Sequence, residues 1–134
     1  MGIAVVTGAS RGIGLELVRQ LVRRNSPVVA VCRTVSADLA ASGVRIESGF
    51  DLTAPDVGDH LARSFARDDI SLLIHNAGIL HDDSLDAIDP DQIRAQFEIN
   101  ALAPLRLSAA LAPRLSRGAK IALITSRMGS IADN

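Results

Sequence analysis

Aromatic side chains are nearly missing from this sequence, which has three Phe, no Trp and no Tyr among its 134 residues. Its core has to be built from Val, Ile, Leu and Ala, and at 48% hydrophobic residues there is enough material to do so. An aliphatic core of that kind suits a parallel sheet buried on both faces. Lysine is scarcer still, with Lys120 standing alone beside 13 arginines at a net charge of −1. The arginines occur singly or in pairs, so no basic block forms and nucleic acid is not an expected partner. The single cysteine, Cys32, excludes an internal disulfide. No apolar run approaches the roughly 20 residues of a membrane span. Nor does a basic leader precede an apolar segment, and Val6 stands where a myristoylation signal has Ser or Thr. His60 lacks the neighbours that a metal site would need and is expected on the surface. These absences predict one soluble, cytoplasmic domain over residues 1–134, with no membrane partner and no metal.

What is present is organised around Thr7-Gly8-Ala9-Ser10-Arg11-Gly12-Ile13-Gly14, which follows the apolar run Ile3 to Val6 and precedes a helical pattern from Leu15. It reads as strand, tight turn and helix start. Gly8 suits the turn, Gly12 leaves the backbone open to a close-lying phosphate, and Gly14 lets helix and strand pack closely. The unpaired N–H groups of the helix's first turn face into the bend and favour an anion there. A plain connecting loop would satisfy the glycines alone.

The spacing Gly-x3-Gly-x-Gly differs from the usual Gly-x-Gly-x-x-Gly of dinucleotide folds. It resembles the cofactor loop of the short-chain dehydrogenase/reductase family, and Asp51-Leu52, Asn76-Ala77-Gly78 and Asn100 followed by Ser126 fall in the family's order. The wording around Asn76 and after Thr125 is most similar to the C-factor and sniffer-like carbonyl reductase branch. The resemblance implies an α/β Rossmann-type, doubly wound parallel sheet in strand order 3-2-1-4-5. It also implies NADP(H)-linked hydride transfer to or from a small carbonyl or alcohol substrate, and a homo-oligomer at full length. Gly8, Ser10, Arg11, Gly12, Ile13 and Gly14 are then cofactor contacts. Asp51 would accept from the adenine amino group, with Leu52 beside the ring, and Asn76, Ala77 and Gly78 would line the adenosine side. Asn100 would hold a water for a proton relay, and Ser126 would bind the substrate oxygen.

Val28 to Val31 predicts the second strand; Cys32 fills the slot after it where an acidic residue would select NAD, and Arg33 comes next. An arginine there, with Arg11 nearby, favours the 2′-phosphate of NADP, although a solvated strand-end charge is the simpler reading. Asp51 reads equally as a turn aspartate. Further expected elements are a weak helix over Ser36 to Ala41, strands over Val44 to Phe50, Ile70 to Ile74 and Lys120 to Thr125, and a helix capped by Thr53. Asp89-Pro90-Asp91-Gln92 is a strong helix start. The helix after Leu15 is expected to turn Leu17, Val18, Leu21 and Val22 inward, and the helix after Pro90 to turn Ile93, Phe97, Leu105 and Leu111 inward. Pro104 lacks an N–H, leaves the Asn100 carbonyl without its helical donor and should kink that helix. His75 reads as a strand-end histidine bonded to backbone.

The departure from the family is chemical. Its catalytic tyrosine and the lysine four residues beyond have no counterpart, since the sequence has no Tyr and Lys120 precedes Ser126. Neither Ser126 nor Asn100 titrates near neutral pH. The expectation is an N-terminal portion truncated after the fifth strand, inactive alone, with an exposed edge that promotes association or aggregation. A non-catalytic NADP(H)-binding or interaction module is the alternative.

Overall fold

The computed structural model describes residues 2–133. Five parallel strands form one sheet: β1 (Ile3–Thr7), β2 (Val28–Val31), β3 (Arg45–Glu47), β4 (Ile70–His75) and β5 (Leu115–Leu123), in the order β3-β2-β1-β4-β5. This is the Rossmann-type order expected from the sequence. The chain runs outward from β1 through β2 to β3, then crosses back to place β4 on the other side of β1. That reversal opens a crevice beyond the carboxyl ends of β1 and β4.

Helices cover both faces. α1 (Gly12–Arg23) and α2 (Ala37–Ala40) pack on one, where Leu15, Val18 and Leu39 meet Ala4, Val6, Ala30 and Ile74. α3 (Val57–Ser64) and α5 (Ala103–Leu111) pack on the other, where Leu61, Phe65, Leu107 and Leu111 meet Val5, Val29 and Leu73. Phe65 is fully buried, and the Arg45 guanidinium lies 5.1 Å from its ring centre while pairing with Asp68 and Glu47. Asn25, in the left-handed region at φ +55°, ends the α1 connection before Pro27.

Several expectations need correction. On α1, Val22 is exposed and Leu17 and Leu21 only pack against the core edge. The third strand is shorter than expected because Ser48-Gly49 leaves regular geometry, Gly49 having φ +81°. β5 starts earlier and ends sooner than Lys120 to Thr125. Thr53 does not cap a helix: its N–H and hydroxyl both donate to Asp51 Oδ1, and α3 begins only after Asp56.

The largest difference concerns α4 (Pro90–Phe97) and α5. The Asp89 cap is present, its Oδ1 accepting from Asp91 and Gln92 N–H. Pro104, however, does not break the run. The chain widens into a π turn over Glu98–Leu102, with Ala103 N–H reaching back to the Glu98 carbonyl, and continues into α5. A wider turn lets the chain pass the missing proline N–H while staying helical. Ile93, Phe97 and Leu105 are exposed, and only Leu111 of the expected stripe is buried. α5 instead buries Ala103, Pro104, Leu107 and Leu111, and α4 buries nothing.

Candidate functional site

The crevice is a cleft of about 630 Å³ at the carboxyl ends of β1, β2 and β4. Gly8 opens it in the left-handed region at φ +63°, and a Cβ there would lie 2.8 Å from Ala77 Cα. Gly14 is closed in from behind, since a Cβ on it would run into the Gly8 carbonyl and the Asn76 side-chain amide. Helix and strand ends therefore touch only because both residues lack side chains. Gly12 differs: at φ +56° its missing Cβ would project into open space, so backbone alone borders the cleft at that point. α1 starts here with no acidic residue in its first turn, and Arg11 precedes it in extended geometry. Its first-turn N–H groups and the Arg11 charge together favour an anion.

The polar junction of the cleft is Thr7, which is buried at the end of β1. Its Oγ1 accepts from Asn76 N–H at 3.1 Å and Ala77 N–H at 3.2 Å. The Asn76 side chain donates to the Gly8 carbonyl at 3.0 Å. Asn76-Ala77-Gly78-Ile79 thus forms a strap sewn to the glycine loop. Asn100 holds the strap's far end, its Oδ1 accepting from Ile79 N–H at 2.9 Å and its Nδ2 donating to the Ile79 carbonyl at 2.7 Å. A Cβ on Gly78 would sit 3.2 Å from Asn100 Oδ1.

Gly8, Ser10, Arg11, Gly12, Ile13, Arg33, Asp51, Leu52, Asn76, Ala77 and Gly78 all line this cleft. Gly14 stands behind it as packing. Arg33 is exposed, and its carbonyl accepts from Gly49 N–H. The Ser10 carbonyl accepts from the Ser36 hydroxyl, which ties α2 to the loop. Asp51 is held below the usual carboxylate range first by the Thr53 hydroxyl, then by the Thr53 N–H, with a smaller contribution from the Arg33 charge. Cys32 is buried and its thiol is pushed up by burial, so it presents no negative charge to the cleft.

Ser126 is not brought into the cleft. It is exposed beyond β5, and its hydroxyl accepts from Met128 N–H at 3.1 Å, as a turn-forming serine would. Asn100 does not line the cleft and meets it through Gly78 and Ile79. His75 is buried, but its Nε2 lies 2.9 Å from the Ser108 hydroxyl rather than on backbone, and burial lowers its pKa to about 4. Sequence reading missed Thr7 as a junction, along with Thr34, Phe50 and Ile99 as lining residues. The signal for Thr7 was its place opening the glycine loop. Among the described residues no group of three or more His, Cys, Asp or Glu could hold a metal ion. No helix among them is long and apolar enough to cross a membrane.

Cleft and topology agree with what the chain is similar to. The short chain dehydrogenase family model matches residues 2–133. A 1-hydroxy-2-glutathionyl-2-methyl-3-butene dehydrogenase of Rhodococcus sp. (strain AD45) is 40% identical over 136 residues, covering all of this chain and 60% of the relative. A carbonyl reductase of Pseudomonas aeruginosa PAO1, solved in complex with NADP, is 37% identical at a TM-score of 0.88, covering 98% of this chain and 64% of that one. Sniffer of Caenorhabditis elegans is 32% identical at a TM-score of 0.84, covering 99% of this chain and 65% of that one. The chain therefore spans about three fifths of the length of these three relatives. The matching model and relatives, with the strand order and the glycine-edged cleft, place the chain in the short-chain dehydrogenase family.

Proposed function

We propose that this chain supplies the nucleotide-binding half of an NADP-dependent oxidoreductase acting on a small carbonyl or alcohol substrate. The observation that carries the reading is the charge at the cleft: Arg33 follows β2 and Arg11 precedes α1, while the slot where a carboxylate would select NAD holds the buried, neutral Cys32. The residues fit a dinucleotide. Gly12 leaves room for a phosphate, the first turn of α1 offers N–H donors, and Asn76, Ala77 and Gly78 present little bulk on the opposite wall. Arg33 and Arg11 would hold a 2′-phosphate, and Asp51 and Leu52 would border the adenine. Bound there, the nicotinamide cofactor supplies the hydride chemistry.

The chain's own residues contribute position rather than proton transfer. Thr7 and Asn100 fix the strap from opposite sides, and Ile13, Phe50 and Ile99 give the cleft apolar walls. Ser126 would bind the substrate oxygen once turned away from Met128. A second reading, a nucleotide-binding module without chemistry, is favoured by the position of Ser126 outside the cleft.

Titration of the chain with NADPH and NADH tests the cofactor reading. NADPH is expected to bind more tightly, and Arg33→Asp to weaken it by roughly tenfold or more, because a charge-assisted contact is replaced by repulsion. An unchanged NADPH-to-NADH ratio in Arg33→Asp would remove Arg33 from the account.

A further inference from the structure

The helical run formed by α4, the π turn and α5 meets both the cleft strap and the residue just before it. The first contact is the grip of Asn100 on Ile79. The second lies further along the run, where the Ser108 hydroxyl meets His75 Nε2 at 2.9 Å. His75 is the last residue of β4, is only 3% exposed, and directly precedes the strap. Its carbonyl is pinned to the neighbouring strand's end by Ile124 N–H at 2.9 Å. Backbone on one side and imidazole on the other thus fix where the strap begins.

We propose that Ser108, acting through the His75 imidazole, is a positioning residue for the nucleotide cleft, setting where Asn76, Ala77 and Gly78 stand. The proposal rests on the reading of the cleft as a dinucleotide site. Without the hydroxyl, the buried His75 Nε2 loses its partner, and a buried polar atom without a partner is costly. Because the His75 carbonyl is held by Ile124, the relief has to come from the imidazole and the residues after it. There is little slack for them to move into, since Ala77 already sits against Gly8. A small shift of the strap therefore alters the wall of the cleft.

The ring's surroundings keep it neutral. β1 and β4 carry no other titratable side chain, and α5 brings only Arg106, which pairs with Glu98 at 3.1 Å. β5 contributes Arg117 and Lys120, the latter opposite Leu72 rather than His75. Nothing on these elements offers the imidazolium an anion, and burial disfavours it, so at neutral pH the link is a hydrogen bond of the neutral ring.

The test compares wild type, Ser108→Ala and Ser108→Thr by amide hydrogen exchange without cofactor and by NADPH titration. Ser108→Ala is expected to speed exchange at Asn76, Ala77 and Ile79 by roughly tenfold relative to Val5 and Val29, and to weaken NADPH by a similar factor. Ser108→Thr, which keeps the hydroxyl, should restore both. Unchanged strap exchange, or equal acceleration at Val5 and Val29 through general loss of stability, would overturn the proposal. Should Ser108→Ala not fold, His75→Asn breaks the same link and carries the same expectations. A wild type that binds no NADPH defeats the dinucleotide reading, while strap exchange still decides whether Ser108 positions Asn76 to Gly78.

Discussion

β2 and β5 belong to the same sheet and have opposite surroundings. All of β2 is buried, whereas β5 has no fully buried residue, with Ile121 42% and Leu123 59% exposed. The difference continues in the helices: α1, α3 and α5 bury apolar faces, while α4 leaves Ile93 and Phe97 in the open. Strands covered on both faces end in fixed positions, and the cleft is built from such ends. Ser126 follows the strand that lacks this cover, and its hydroxyl turns to its own backbone. The two regions are thus separable in this chain: the cleft is bordered by the ends of covered strands, and Ser126, beyond the uncovered strand, lies outside it.

A paired glycine substitution gives the sharpest contrast between the regions. Gly14→Ala drives a Cβ into the Gly8 carbonyl and Asn76, both fixed, and should cost about 3 kcal/mol or more, or prevent folding. Gly129→Ala, with nothing within 4 Å of the new Cβ, should stay within about 0.5 kcal/mol. Denaturant midpoints read both, and equal losses would erase the distinction.

Acid should find the covered side through His75. Its folded pKa of about 4 lies below the unfolded value of 6.5, so the denatured chain takes up the proton first. Stability is therefore complete above about pH 6.5 and falls as pH drops towards 4, by on the order of 3 kcal/mol. His75→Asn should flatten that part of the stability profile; an identical slope in the variant would show that another group is responsible.

The uncovered side should announce itself by association. Expressed as these 134 residues, the chain is expected to self-associate at high concentration through β5. Replacing Ile121 and Leu123 by Lys should reduce that while changing stability by less than about 1 kcal/mol, both side chains being substantially exposed. Sedimentation that shows wild type monomeric at high concentration would contradict this.

Much of the covered region was legible in the sequence because its signals are local. A glycine loop between an aliphatic run and a helix fixes one strand end, and Asp51 and Asn76-Ala77-Gly78 mark two more strand ends. In a parallel sheet those ends meet at one edge. The exposed stripe was misread for a physical reason: apolar residues at helical spacing mark a face that favours burial, not whether anything covers it. Pro104 marked where the helix departs from α geometry but not how, since kinking and widening both accommodate a missing N–H. The bond between His75 and Ser108 has no sequence signal, because neither residue's neighbours point to the other. Thr7 looked like part of a loop and turned out to join β1 to the residues after β4.

The proposed NADP(H) site is a cleft that needs no help from the β5 side. Chemical-shift mapping of the chain on titration with NADPH tests it most directly. Saturable shifts are expected at Gly8 to Leu15, Arg33, Asp51, Leu52 and Asn76 to Ile79, with Ser126 and the exposed residues of β5 unmoved. Absence of saturable shifts, or shifts centred on β5 and Ser126, would contradict the proposed site.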